Sequence, residues 1–167
     1  MEISKLPDGI KIKSKLATLG INPFNAKGVI DSAILLDKIY NSNDIDGQPV
    51  IINGPGEYEI KGIKINGVGN ETFGYTARID GIQVSIIRAS GLSKTKDIPE
   101  ESQIVIIEAD AIPDQKSIAA LNARVIILYG ANAQETTKNL GKEVSPISKY
   151  IITKDKLPSE MEIIILG

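Results

Sequence analysis

Between Gly56 and Ala89 the chain reads as strand after strand, broken only where tight turns fit. The run "EYEIKGIKING" (57–67) alternates apolar and polar side chains with period two, which places one set on a buried face and the other in water. "YTARIDGIQVSIIRA" (75–89) holds two strand patterns joined at Asp80-Gly81. That pair is a strong hairpin signal, because both residues of the favoured two-residue turn need positive φ. Gly62, inside the first run, suggests a bulge or a close backbone approach. Such a segment predicts an antiparallel meander.

The flanking segments extend the pattern. "MEISKL" and "IKIKSKLATLGI" lie on either side of Pro7-Asp8-Gly9, where proline presets the first turn dihedral and glycine accepts positive φ. Alternation puts Ile10 and Ile12 on one face and Lys11, Lys13 and Lys15 on the other. "SAILLD" (32–37) is a buried strand leading into the polar, turn-rich loop 38–47, and "PVIIN" passes through Gly54-Pro55-Gly56 into the alternating run. These strands are expected to pair antiparallel. Beyond Pro99 the grammar changes. "QIVIIEA", a helical stretch over 113–122 and "RVIILYG" form a strand, helix, strand unit of the kind that pairs in parallel. A second short helix over 133–140 ends at Gly141, and 154–160 separates the last two strand patterns. The expected architecture is an α/β layered sandwich, rich in strands, with 1–167 as one domain.

Composition removes most catalytic chemistry. The 167 residues include no histidine and no cysteine, so imidazole bases, thiolate nucleophiles and zinc ligands of either kind are absent. A formal net charge of -2 gives no polycationic footprint for nucleic acid. No apolar run approaches the ~20 residues that span a bilayer, and the first residues lack a secretion-signal pattern, so no membrane association and a cytoplasmic location are expected.

In this order the chain resembles the metallo-β-lactamase superfamily, in particular its compact metal-dependent hydrolases related to the ascorbate-lactone hydrolases. The likeness is carried by "MEISKL", "GINPF" (20–24), "GPGEYEIKGIKING", "YTARIDGIQVSII", the strand, helix, strand unit and "KLPSEMEIIIL". It implies an αββα-type sandwich, here with reduced helical layers. It also implies where metal ligands would fall: in the loop after "AILLD", here Lys38, Tyr40, Ser42 and Asn43; after "IQVSII", at Arg88; and at the end of "RVIILYG", at Tyr129 and Gly130. None of these side chains is a good zinc ligand. The resemblance gives Gly54, Pro55, Gly56 and Glu57 a structural role as a turn.

The resemblance therefore implies a pseudoenzyme: a hydrolase fold without metal or other cofactor, serving as a binding or scaffold module for an unknown protein or small-molecule partner, with self-association possible. The alternative is a hydrolase with a non-histidine site, metal-free or using magnesium or manganese on Asp and Glu, acting on a phosphodiester, lactone or similar small substrate. Arg88 carries two readings: a cation replacing the metal and retaining anion binding, or a solvent-facing strand-end residue. Asp37, Asp44 and Asp46 could hold a hard cation through oxygen ligands or simply be solvated. Glu57 and Glu59 could form an acid/base pair, or decorate a wet face.

Overall fold

The computed structural model describes residues 1–41, 45–70, 73–92 and 102–167. Their strands are β1 (Glu2–Lys5), β2 (Ile10–Lys13), β3 (Thr18–Ile21), β4 (Ser32–Ile34), β5 (Val50–Ile52), β6 (Gly56–Ile60), β7 (Ile63–Gly69), β8 (Phe73–Ile79), β9 (Ile82–Arg88), β10 (Ile104–Glu108), β11 (Val125–Tyr129), β12 (Lys149–Ile151) and β13 (Glu162–Leu166). They form two sheets, ordered β12-β1-β2-β3-β4-β5 and β13-β11-β10-β9-β8-β7-β6. Two short helices, α1 (Gln115–Ala119) and α2 (Ala133–Asn139), lie inside the predicted ranges.

Each strand pattern finds its reason in this layering. In β2, Ile10 and Ile12 are fully buried between the sheets while Lys13 is exposed, so the alternating sequence makes a one-sided strand. In β10 the run Ile104 to Ile107 is apolar throughout because both faces are covered. Ile104 and Ile106 enter the core between the sheets, whereas Val105 and Ile107 pack under Ile118, Leu121 and Ala133 of the helical layer. That layer covers only the second sheet. Strands β9, β10, β11 and β13 are parallel and in register, and β6 to β9 form the expected meander.

Several local expectations are corrected. Gly62 makes no bulge: with Lys61 it forms the β6–β7 turn, φ 86° and 49°, the same positive pair found at Asp80 (50°) and Gly81 (81°). The "IKIKSKLATLGI" segment is two strands, not one, because Ser14 Oγ accepts from Ala17 N (2.9 Å) and donates to Ala17 O (2.8 Å), closing a turn. Strands β3, β4 and β5 pair in parallel, which makes the first sheet mixed, and β5 and β6 do not pair at all, because Gly54-Pro55 carries the chain from β5 in one sheet to β6 in the other. Gly9 lies outside the residues with positive φ; what it provides is room for the backbone of Ile21 and Asn22 beside it.

At the start of β6, Gly56 adopts φ 140°, which side-chain-bearing residues rarely reach. Tyr58 braces this corner, its hydroxyl donating to the carbonyls of Gly54 (2.9 Å) and Pro55 (3.3 Å). Gly56→Val is expected to destabilise by about 1–3 kcal/mol through backbone strain, read as a lower urea midpoint at unchanged slope. Glu57→Gln and Glu59→Gln, both on exposed side chains, should fall within about 0.5 kcal/mol of the parent. Among the described residues no helix is long and apolar enough to cross a membrane.

Candidate functional site

Because β9, β10 and β11 are parallel and in register, their last residues align: Arg88 lies opposite Glu108, and Glu108 opposite Tyr129. Asp110 follows just beyond β10, fixed by Ser90 N donating to its Oδ1 at 3.0 Å. From the first sheet, Asp37 and Tyr40 come from the segment after β4. It is tied to the second sheet by Phe73 N donating to Leu36 O (3.0 Å) and Tyr75 OH donating to Leu35 O (3.1 Å).

Arg88 is the centre of what these residues build. Its Nη1 donates to Asp37 Oδ2, its Nε lies 3.2 Å from Glu108 Oε2 and its Nη2 lies 3.1 Å from Asp110 Oδ2. Each guanidinium nitrogen thus meets a different carboxylate. All four side chains are only 11–16% exposed. Tyr40 caps the group, donating its hydroxyl to Glu108 Oε1 at 3.0 Å with its ring centroid 5.8 Å from Arg88 Cζ. Phe24 meets the Tyr40 ring edge-on at 5.2 Å.

One guanidinium among three carboxylates leaves negative charge in excess, and the acid constants respond. Burial pushes the Glu108 carboxyl above its ordinary value; Arg88, Tyr40 and Asn22 pull it back down, while Asp110 adds to the rise. Burial also raises the Tyr129 phenol well above its ordinary value, reinforced by the Glu108 charge, and its hydroxyl has no hydrogen-bond partner among the described residues. Tyr40 is pushed up to about 12, first by burial and then by Glu108, and Tyr150 to about 12 by burial and its hydrogen bond to Glu162. A folded phenol that holds its proton more tightly than the free side chain stabilises fully below about pH 10, and that contribution is lost as pH rises toward 12. Ultraviolet titration should show these phenolates forming only near the pH of alkaline unfolding, and Tyr40→Phe should flatten part of the stability loss above about pH 10.

The sequence-derived candidates divide. Tyr40, Arg88 and Tyr129 converge at this rim, and Gly130 is the turn after β11, at φ 99°. Lys38 is exposed, while Ser42, Asn43 and Asp44 lie outside the described residues. The solvent-facing reading of Arg88 does not hold, and the reading of it as a cation in place of a metal loses its anion-binding part. The side chain is not solvent-facing, and its guanidinium is occupied by carboxylates rather than open to an anion. Asp37 turns to Arg88, whereas Asp46 is exposed. Glu57 and Glu59 border a shallow cleft of about 600 Å³ with Lys64 and Arg78, away from the Arg88 group. Sequence reasoning missed Glu108, Asp110 and Asn22. The signal for the two acids is their position at the carboxyl end of an apolar strand in a strand, helix, strand unit, where α/β sheets gather functional groups.

No protein-family model matches this sequence, and no curated protein matches it. Solved structures do. A Thermotoga maritima protein of the metallo-β-lactamase superfamily, assigned as a zinc-dependent hydrolase, superposes on 99% of this chain and 97% of its own, with TM-score 0.73 at 15% identity. The chain has a metallo-β-lactamase fold. YhfI from Bacillus subtilis, another metallo-β-lactamase fold protein, matches over 98% of this chain and 95% of its own with TM-score 0.52 at 10% identity. CmlA, a diiron β-hydroxylase from Streptomyces venezuelae, shares the fold over 76% of this chain and 44% of its own, with TM-score 0.50 at 8% identity. Against the αββα plan expected from the resemblance, this metallo-β-lactamase fold keeps its sandwich and one thin helical layer among the described residues.

Proposed function

We propose that this chain is a non-hydrolytic form of the metallo-β-lactamase fold, in which Arg88 supplies the positive charge at the strand-end rim and the domain works by binding. The observation that carries the reading is the engagement of all three guanidinium nitrogens by Asp37, Glu108 and Asp110. The donors at the rim are carboxylates and phenols, and the sequence has no imidazole or thiolate to join them. This donor set does not fit zinc, and a dication would have to displace a guanidinium already held by the same oxygens. The three acids that meet at the rim converge on the Arg88 guanidinium instead of on an open centre. A retained fold with altered chemistry is consistent with the separability of fold and site.

The test combines zinc titration with a hydrolase screen. Micromolar zinc should produce no chelator-reversible rise in melting temperature, and lactone and phosphodiester substrates should show no turnover. Stoichiometric tight zinc, or turnover abolished by chelator, would overturn the reading. The rival, a metal-free hydrolase, draws on Glu108, whose buried carboxyl is the best-placed acid or base. Chelator-insensitive turnover that disappears in Glu108→Gln would establish it.

A further inference from the structure

Asn-Gly occurs twice in the chain, at Asn53-Gly54 and Asn66-Gly67, and both asparagine side chains are exposed. We propose that Asn53-Gly54 is a site of spontaneous covalent modification, where the asparagine amide is lost through a cyclic imide to give aspartate and isoaspartate, while the fold protects the same dipeptide at Asn66. This goes beyond the binding reading and stands independently of it.

The chemistry is a ring closure. The main-chain nitrogen of Gly54, having released its proton, attacks Asn53 Cγ; a C–N bond forms and the side-chain nitrogen leaves as ammonia. Water then adds to one of the two imide carbonyls. Cleavage at Cγ gives aspartate, and cleavage at the main-chain carbonyl carbon gives isoaspartate, whose chain runs through Cβ and Cγ. The net change is water in and ammonia out, with no oxidant or reductant. Two conditions govern the first step. The attacking nitrogen must be unhindered and free of a hydrogen bond, which glycine favours because it has no Cβ. The asparagine ψ must also turn away from its extended value to bring Cγ to that nitrogen.

Asn53-Gly54 meets both conditions. The pair lies between β5 and β6, outside either strand. Among the described residues the Gly54 N–H donates no hydrogen bond and the Asn53 side chain makes none. Tyr58 holds the carbonyl end of Gly54 at 2.9 Å, which leaves the nitrogen side unencumbered. Asn66-Gly67 meets neither. Both residues sit inside β7, where Asn66 pairs with Glu57 and Thr76, and Gly67 with Gly56 and Tyr75. In a central antiparallel strand the N–H groups belong to the ladder, and turning Asn66 ψ would break pairing on both sides. Gly67 is also hemmed in: an added Cβ would lie 2.7 Å from both the Gly54 carbonyl oxygen and the Tyr75 ring.

The experiment ages the full chain at neutral and mildly alkaline pH, folded and in guanidinium chloride. Peptide mapping by mass spectrometry reads amide loss at each site, and chromatography separates isoaspartate from aspartate. In the folded chain Asn53 should convert at least about tenfold faster than Asn66, faster still at the higher pH, and yield both products. In guanidinium chloride the two rates should come within about threefold of each other, since only the dipeptide then matters. Gly54→Ala should slow Asn53 by about tenfold or more and leave Asn66 unchanged. The fold tolerates that change, because Gly54 has no positive φ and an added Cβ meets only Tyr58 Oη, at 3.9 Å. Equal rates at the two sites in the folded chain would overturn the proposal, as would an Asn53 that is stable when folded but converts when unfolded. Aspartate without isoaspartate would exclude the imide, and a rate difference that persists undiminished in guanidinium chloride would exclude protection by the fold; either overturns it too.

Discussion

Arg88→Ala should destabilise the protein by about 3 kcal/mol or more, because it strands three largely buried carboxylates without their common cation. The size follows from removing one partner of a buried pair, not from the net worth of the pair. Three further responses identify the cause. The variant's deficit relative to the parent should shrink as pH is lowered, since protonating Glu108, whose carboxyl burial already pushes up, relieves the repulsion. Methylguanidinium at low concentration should restore part of the loss by filling the vacated space. Arg88→Lys should restore little, because one ammonium cannot present three directed nitrogens to three separate carboxylates. Urea unfolding at several pH values reads all of these. A loss below about 1 kcal/mol would instead place the group among solvated surface pairs.

Gly9→Ala is the other substitution expected to be severe. A Cβ at Gly9 would sit 2.0 Å from the carbonyl oxygen of Ile21 and 2.4 Å from that of Asn22, both backbone atoms that cannot rotate away. We expect about 3 kcal/mol or more, at the upper end of what overpacking costs, since either β2 or β3 must move. The control is Gly28→Ala: Gly28 has φ 104° but nothing within 4 Å of the added atom, so it reports backbone strain alone, on the order of 1 kcal/mol. Equal losses at the two positions would show that contact is not what Gly9 avoids.

The strands could be read from the sequence because their signals are local. Asp80-Gly81 needs only its own backbone to announce a hairpin, and the alternation in β2 and β7 follows from one wet face. Sheet membership could not be read so. Nothing in "VIIN" reveals that β5 stays in one sheet while "GEYEI" starts the other, because the crossing at Gly54-Pro55 depends on what each strand packs against. The candidate site was half legible. The family resemblance points to Tyr40, Arg88 and Tyr129, but not to what surrounds Arg88: Asp37 lies 51 residues before it, and Glu108 and Asp110 come from a different strand end. Glycine shows the same limit. Gly9 was read as a flexible turn residue, whereas the structure needs it for the closeness of a neighbouring strand.

Strand β1 pairs on one side with β2, a few residues away, and on the other with β12, in which Ile3 faces Tyr150. During synthesis, then, the second edge of β1 has no partner until residues 149–151 have emerged, although the β6–β9 meander can already zip up from its own hairpins. The half-made molecule carries an open backbone edge bearing Ile3, which must wait for β12 and is available meanwhile to any other extended segment. Closing the first sheet is therefore a late, long-range event, and variants that weaken β12 should be lost to aggregation during production before any defect appears in the finished protein.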